Sequence, residues 1–144
     1  MIPKNIAREL LEAGLEWKST VGDQISCFDV KSRFQTCLVI DILPVSVEVS
    51  FILGEKRILK TAKKSECLWL PRLDQLWGKI RQYGWEVMIF QDDKCVKVSL
   101  YNSKSYQHHK LCFDGNNLEK SAAHALLWVL RKEACVVKGG AVIG

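Results

Sequence analysis

The sequence predicts an α+β protein: an N-terminal helix plus an antiparallel β-meander, packed with a C-terminal α-β-β-β-α unit. Three observations carry that prediction. Leu73, Leu76, Trp77 and Ile80 recur at helical spacing between Pro71 and Gly84. Val45, Val47, Val49 and Phe51 alternate with Ser46, Glu48 and Ser50, as in a strand with one buried face. Between them and the end, short β-rich runs separated by Asp, Asn, Ser and Gly lead into an Ala/Leu-rich stripe.

The first element is a short amphipathic helix over 3–13. Ile6, Leu10 and Ala13 share a face, Pro3 suits a first-turn position and Gly14 a C-terminal cap. A Gly22-Asp23 turn then leads to strands over 24–30 and 34–43. The run Cys37-Leu38-Val39-Ile40 implies burial on both faces. The alternating strand over 45–53 turns at Gly54-Glu55-Lys56 into 57–61, completing a meander that suits a small curled sheet or partial barrel. Lys63-Lys64-Ser65-Glu66 ends it and sets the expected boundary, giving units 1–66 and 67–133 that share a core.

The second unit opens with the helix after Pro71. Strands over 85–91, 94–101 and 106–113 follow, joined by Asp92-Asp93 and by Asn102 to Ser105. Asn116 with Glu119 forms a capping-box pattern, and Leu118, Ala122, Ala125, Leu126 and Val129 make the stripe of a last helix reaching Arg131. The tail 134–144, with Gly139-Gly140 between apolar pieces, fits either an edge strand or a disordered end. Leu127 lies about 145° from the stripe centre, beside Ala123 and Leu130. These three either lie under the N-terminal half or form a partner or self-association surface.

Composition bounds the function. A 144-residue chain with 48% apolar and 26% charged residues belongs to a folded protein, and no apolar run approaches the ~20 residues of a membrane span. MIPKNIARELLEAG lacks the apolar core of a secretion signal, so a cytoplasmic location is expected. The six cysteines are each at least ten positions apart, without a CxxC pair, so no metal or redox site is expected. Cys37, Cys95 and Cys112 fall in strands, where thiols act as small buried hydrophobes.

Net charge is +5, concentrated in the second half: residues 67–144 hold eleven basic and seven acidic residues, against ten and nine in 1–66. The close basic cluster is Lys56, Arg57, Lys60, Lys63 and Lys64, which together with Lys104 and Lys120 forms the candidate set of phosphate contacts. Tyr101 and Tyr106, flanking the turn that holds Lys104, are candidate base-stacking rings. No catalytic constellation emerges. His108 and His109 are adjacent on a strand and point to opposite faces, leaving His108 with Cys112 as a partial site; His124 lies on the polar side of the last helix. Asp41, inside an apolar strand, is the oddest carboxylate, and exposure at the strand end before Leu43-Pro44 explains it.

Two resemblances follow from the second unit. The order helix, three strands, helix over 71–131, with Asp114-Gly115-Asn116-Asn117-Leu118-Glu119-Lys120-Ser121-Ala122-Ala123-His124-Ala125-Leu126, resembles the double-stranded RNA-binding domain. That family grips phosphates with a Lys-Lys-x-x-Lys cluster at the start of this helix. Here Lys120 alone matches it, and Glu119 opposes it. Leu73-Asp74-Gln75-Leu76, Tyr83-Gly84-Trp85 and Ala125-Leu126-Leu127-Trp128-Val129-Leu130-Arg131 resemble small uncharacterised phage- or prophage-type proteins without an assigned activity. The resulting expectation is a non-catalytic accessory or protein-interaction protein, with a protein partner or homo-oligomer, no cofactor and no membrane contact. A nucleic-acid-binding module is the alternative.

Overall fold

The structure is a computed structural model that describes residues 1–28 and 34–143. The elements run α1 (Lys4–Glu12), β1 (Gln24–Phe28), β2 (Phe34–Ile42), β3 (Ser46–Leu53), β4 (Lys56–Lys63), a 3-10 turn (Lys64–Glu66), β5 (Leu68–Trp69), α2 (Leu73–Gln82), β6 (Trp85–Gln91), β7 (Cys95–Asn102), β8 (Gln107–Asp114) and α3 (Leu118–Ile143). The fold is α+β, as the residue periodicities predict.

The division into units differs from the expected one. Residues 1–15 join 73–144 in one unit, and 16–72 form the other. Two pairings explain the shift. Helix α1 packs on α3, burying Ile6, Ala7 and Leu10, so the N-terminal helix belongs with the C-terminal elements. At the other boundary, Leu68 and Trp69 pair with Ser26 and Ile25, so the chain stays in the first sheet past residue 66.

In the 16–72 unit, the sheet has the order β4-β3-β2-β1-β5, with each pair antiparallel. Its core is Ile25, Cys27, Cys37, Val39, Val47, Val49, Phe51 and Ala62. Burial is one-sided in β2: Cys37 and Val39 are buried while Leu38 is exposed, which corrects the expectation of a doubly buried run. An apolar run is compatible with either case, and neighbouring strands decide it. The register also shifts between Val39 and Asp41, where the ladder passes from Val39↔Val49 to Asp41↔Glu48. Ile40 is the extra residue of a bulge. Without it, Asp41 would follow Cys37 and Val39 onto the core face. With it, Asp41 stands outward beside Glu48, and its carboxylate accepts a hydrogen bond from the Ile42 N–H at 2.8 Å.

Asp23 anchors the start of this unit. Its side chain is buried and accepts from Trp17 Nε1 at 2.8 Å and from the Thr20 N–H at 2.9 Å, with the Arg72 guanidinium 3.7 Å away. Arg72 also donates to the Gly22 carbonyl at 3.0 Å. Donors around a buried carboxylate offset part of the cost of taking it out of water.

The other unit sets β6, β7 and β8 in one antiparallel sheet with α3 on one face. Gly14, at φ 104°, ends α1 as the cap spacing predicts: the Leu15 N–H reaches back to the Leu10 carbonyl. Around α3, Ser121, Ala122, Ala123, Ala125, Leu126, Leu127, Val129 and Leu130 are all buried, an arc of about 240° at 100° per residue. A helix apolar around most of its circumference is a core helix. Here α1, α2 and β7 all pack against it. Trp85 and Trp128 meet edge to face at 5.2 Å, and His109 stacks on Trp128 at 4.1 Å. Helix α3 continues to Ile143, so residues 134–143 are helical rather than an edge strand.

Candidate nucleic-acid interface

The pleat of β6, β7 and β8 sends alternate side chains to opposite sides. Trp85, Val96, Val98 and Leu100 point to the helical side and are buried. The other side is open. Register places its residues in cross-strand rows: Glu86, Tyr101 and His108; Met88, Ser99 and Lys110; Phe90, Lys97 and Cys112; then Cys95 and Asp114. Met88 and Phe90 are 74% and 59% exposed, far beyond what a covered sheet face allows.

This face combines flat rings with cations. Lys97 Nζ sits 5.9 Å from the centre of the Phe90 ring, within cation–π range. Tyr101 and His108 pack as tilted rings 6.5 Å apart. A shallow groove of about 400 Å³ runs past Met88, Phe90, Lys97, Ser99, Lys110 and Cys112. A second, of about 500 Å³, continues it past Tyr101 and His108. Phe90 and Tyr101 stand about 14 Å apart along the strand direction, with Lys97 in the row of Phe90 and Lys110 in the row between the two rings.

Both turns at the ends of this sheet are fixed by side-chain acceptors. Asp92 Oδ1 accepts from the N–H groups of Lys94 and Cys95 at 2.8 and 2.9 Å, and these bonds hold its carboxyl below the usual Asp value. Asn102 Oδ1 accepts from Lys104 and Ser105. Lys104 therefore sits exposed in a defined turn beside Tyr106, which is 82% exposed and adopts φ 55°.

The remaining candidate residues do not form one site. The strand pleat splits the basic cluster of β4. Lys56 and Lys60 pair with Leu53 and Val49 on the side of the core, whereas Arg57 and Lys63 pair with Ile52 and Ser46 on the opposite side. Lys64 lies in the 3-10 turn and donates to the Pro44 carbonyl at 3.4 Å. Close spacing in sequence thus becomes division in space. Lys120 lies in the first turn of α3, where its N–H donates to Asn117 Oδ1. The proposed partner surface is corrected: Ala123, Leu127 and Leu130 are buried, because the helix that carries them is a core helix.

His108 and His109 do point to opposite faces, the first to the open side and the second onto Trp128. His124 stacks on Phe113 at 5.7 Å; burial, followed by nearby Lys120, holds its imidazole below the usual His value. Cys112 is exposed on the open face rather than buried, since it shares the pleat of Lys110 and His108. Among the described residues no group of three His, Cys, Asp or Glu side chains is placed to hold a metal, and no helix is long and apolar enough to cross a membrane.

Tyr101 is legible in the sequence as a ring flanking a basic turn, whereas Phe90 has no such local signal. The pattern that exposes it is the pleat of β6: with Trp85, Val87 and Ile89 on one face, Met88 and Phe90 must occupy the other. Apolar residues on both sides of a strand with one packed face leave an exposed apolar patch on the other.

Comparison with known proteins adds no relative: no family model, no curated protein and no solved structure matches this chain.

Proposed function

We propose that this protein binds single-stranded nucleic acid on the open face of its three-stranded sheet, as a binding module without turnover. The observation that supports this reading is the pairing of exposed Phe90 and Tyr101 with Lys97 and Lys110 on one face. Unpaired bases stack on exposed rings for about 1 to 3 kcal/mol each, and a lysine beside the ring neutralises the adjoining phosphate. A duplex hides its base faces, so it has no use for the rings. Lys97 and Lys110 lie on this face and Lys94 and Lys104 at its ends, offset by Glu86 and Asp114 on the face and by Asp92 and Asp93 in the turn, so the phosphate contacts fall to the individual lysines beside the rings.

Fluorescence anisotropy with short single-stranded RNA and DNA, and with duplexes of the same sequence, tests the proposal. The expected result is binding to single strands that weakens with salt, with a preference over duplex. Phe90→Ala should weaken it by a factor of about 5 to 150, matching the stacking range. Lys97→Ala and Lys110→Ala should each lower the log–log salt slope by about 0.7. Absence of binding at low salt would overturn the proposal. So would a concentration-dependent mass that Phe90→Glu abolishes, which would assign the face to a second copy of the chain.

A further inference from the structure

The 16–72 unit brings together two thiols whose sequence spacing concealed their relation. Cys27 and Cys37 lie ten positions apart, on neighbouring strands β1 and β2, and both are buried in the same core. Their strands pair with Ile25 opposite Cys37 and Cys27 opposite Gln35, so the two cysteines are diagonal neighbours on one face. Their sulfurs are 2.7 Å apart. A disulfide bond is about 2.05 Å long, so a displacement of under 1 Å separates the two thiols from bonding.

We propose that Cys27 and Cys37 form a disulfide that ties β1 to β2 when the protein meets a disulfide oxidant such as oxidised glutathione. One thiol, as its thiolate, attacks the glutathione disulfide, forming a mixed disulfide and releasing one glutathione. The second cysteine then attacks the protein sulfur of that mixed disulfide, closing the Cys27–Cys37 bond and releasing the second glutathione. The two electrons lost by the cysteines reduce the glutathione disulfide, and the two thiol protons end on the departing glutathiones.

The surroundings set the conditions. Cys27 and Cys37 are only 1% and 2% exposed, and the Cys27 thiol followed by burial pushes the Cys37 thiol strongly up. A buried thiol of this kind reacts slowly in the folded protein, so the bond forms during folding or during local opening. Cys67 packs against the same cluster, and the β1–β5 register that pairs Ser26 with Leu68 brings it next to Cys27. It is the competing partner, with its own thiol pushed up to about 11 by burial.

The test uses a variant with Cys95, Cys112 and Cys135 changed to Ser, which leaves Cys27, Cys37 and Cys67. Denatured, reduced protein is refolded with oxidised and reduced glutathione, so access to the buried thiols is not limiting. The expected product has lost two hydrogens, retains one alkylatable thiol at Cys67 and yields a peptide linking Cys27 to Cys37. Its melting temperature should exceed that of the reduced form by about 5 to 10 °C, from closing a short loop. Alkylation of both Cys27 and Cys37 after refolding, or a link from Cys27 to Cys67, would overturn the proposal. The Cys27→Ser, Cys37→Ser variant of the same background should melt at one temperature with or without oxidant; an oxidant-dependent rise there would assign the effect elsewhere.

Discussion

Substitution of Leu127 by Ala distinguishes a core helix from a partner surface. Leu127 is 3% exposed on α3, between Ala123 and Leu130, which are equally enclosed. Truncating a buried leucine removes its transfer free energy and leaves a cavity, at a cost of 2 to 5 kcal/mol, taken here as about 3. At about 2.1 cal/mol/K per residue, a chain of 144 residues unfolds with an entropy near 0.3 kcal/mol/K. The melting temperature should therefore fall by about 10 °C, and by more if the unit that holds α3 melts separately. Differential scanning calorimetry with sedimentation velocity on the same samples reads both quantities. A buried Leu127 gives a large drop in melting temperature and an unchanged sedimentation coefficient. A melting temperature within 2 °C of the parent, accompanied by loss of an oligomer, would refute the burial argument and restore Leu127 as a contact residue.

Other consequences concern single groups. Asp23→Ala should destabilise by about 2 to 4 kcal/mol in urea, because Trp17 Nε1 and the Thr20 N–H lose their acceptor, and Asp23→Asn should cost less because it keeps one; equal midpoints for parent and both variants would contradict the anchoring role. The folded His124 imidazole holds its proton less tightly than the unfolded one, so folding is opposed by protonation: stability should fall as pH drops below the ordinary His value near 6.5, with the loss complete once pH is below the folded value. His124→Gln should flatten that part of the urea stability profile between pH 7.5 and 5, and an unchanged slope would remove His124 as its source.

Much of the fold was legible because local and global signals agree. The stripe Leu73, Leu76, Trp77, Ile80 gives α2, and Gly84 ends it at φ 86°. Alternation from Val47 to Phe51 gives β3, although Val45 lies outside that strand and is exposed. What was hidden depends on partners distant in sequence. Nothing near Ile40 announces a bulge, which exists because β3 pairs on both sides of it. The assignment of α1 to the C-terminal elements follows from its packing on α3, and an amphipathic stripe does not name what covers it.

The candidate site shows the same division. Clustering of Lys56, Arg57, Lys60, Lys63 and Lys64 along the chain pointed to a basic patch, but period-two alternation puts neighbours on opposite sides. The open face is the reverse case. Phe90, Tyr101, Lys97 and Lys110 come from three strands and look unrelated in sequence, and antiparallel register sets them side by side.

The most direct test of the account is the affinity of a fluorescent single-stranded RNA for the parent protein, Phe90→Ala, and the doubly substituted Arg57→Ala, Lys63→Ala, measured by anisotropy at low and near-physiological salt. Salt-sensitive binding that Phe90→Ala weakens by a factor of at least about 5, while the β4 variant retains it, is the predicted result. Equal affinity for the parent and Phe90→Ala, or loss confined to the β4 variant, would contradict the assignment of the open sheet face.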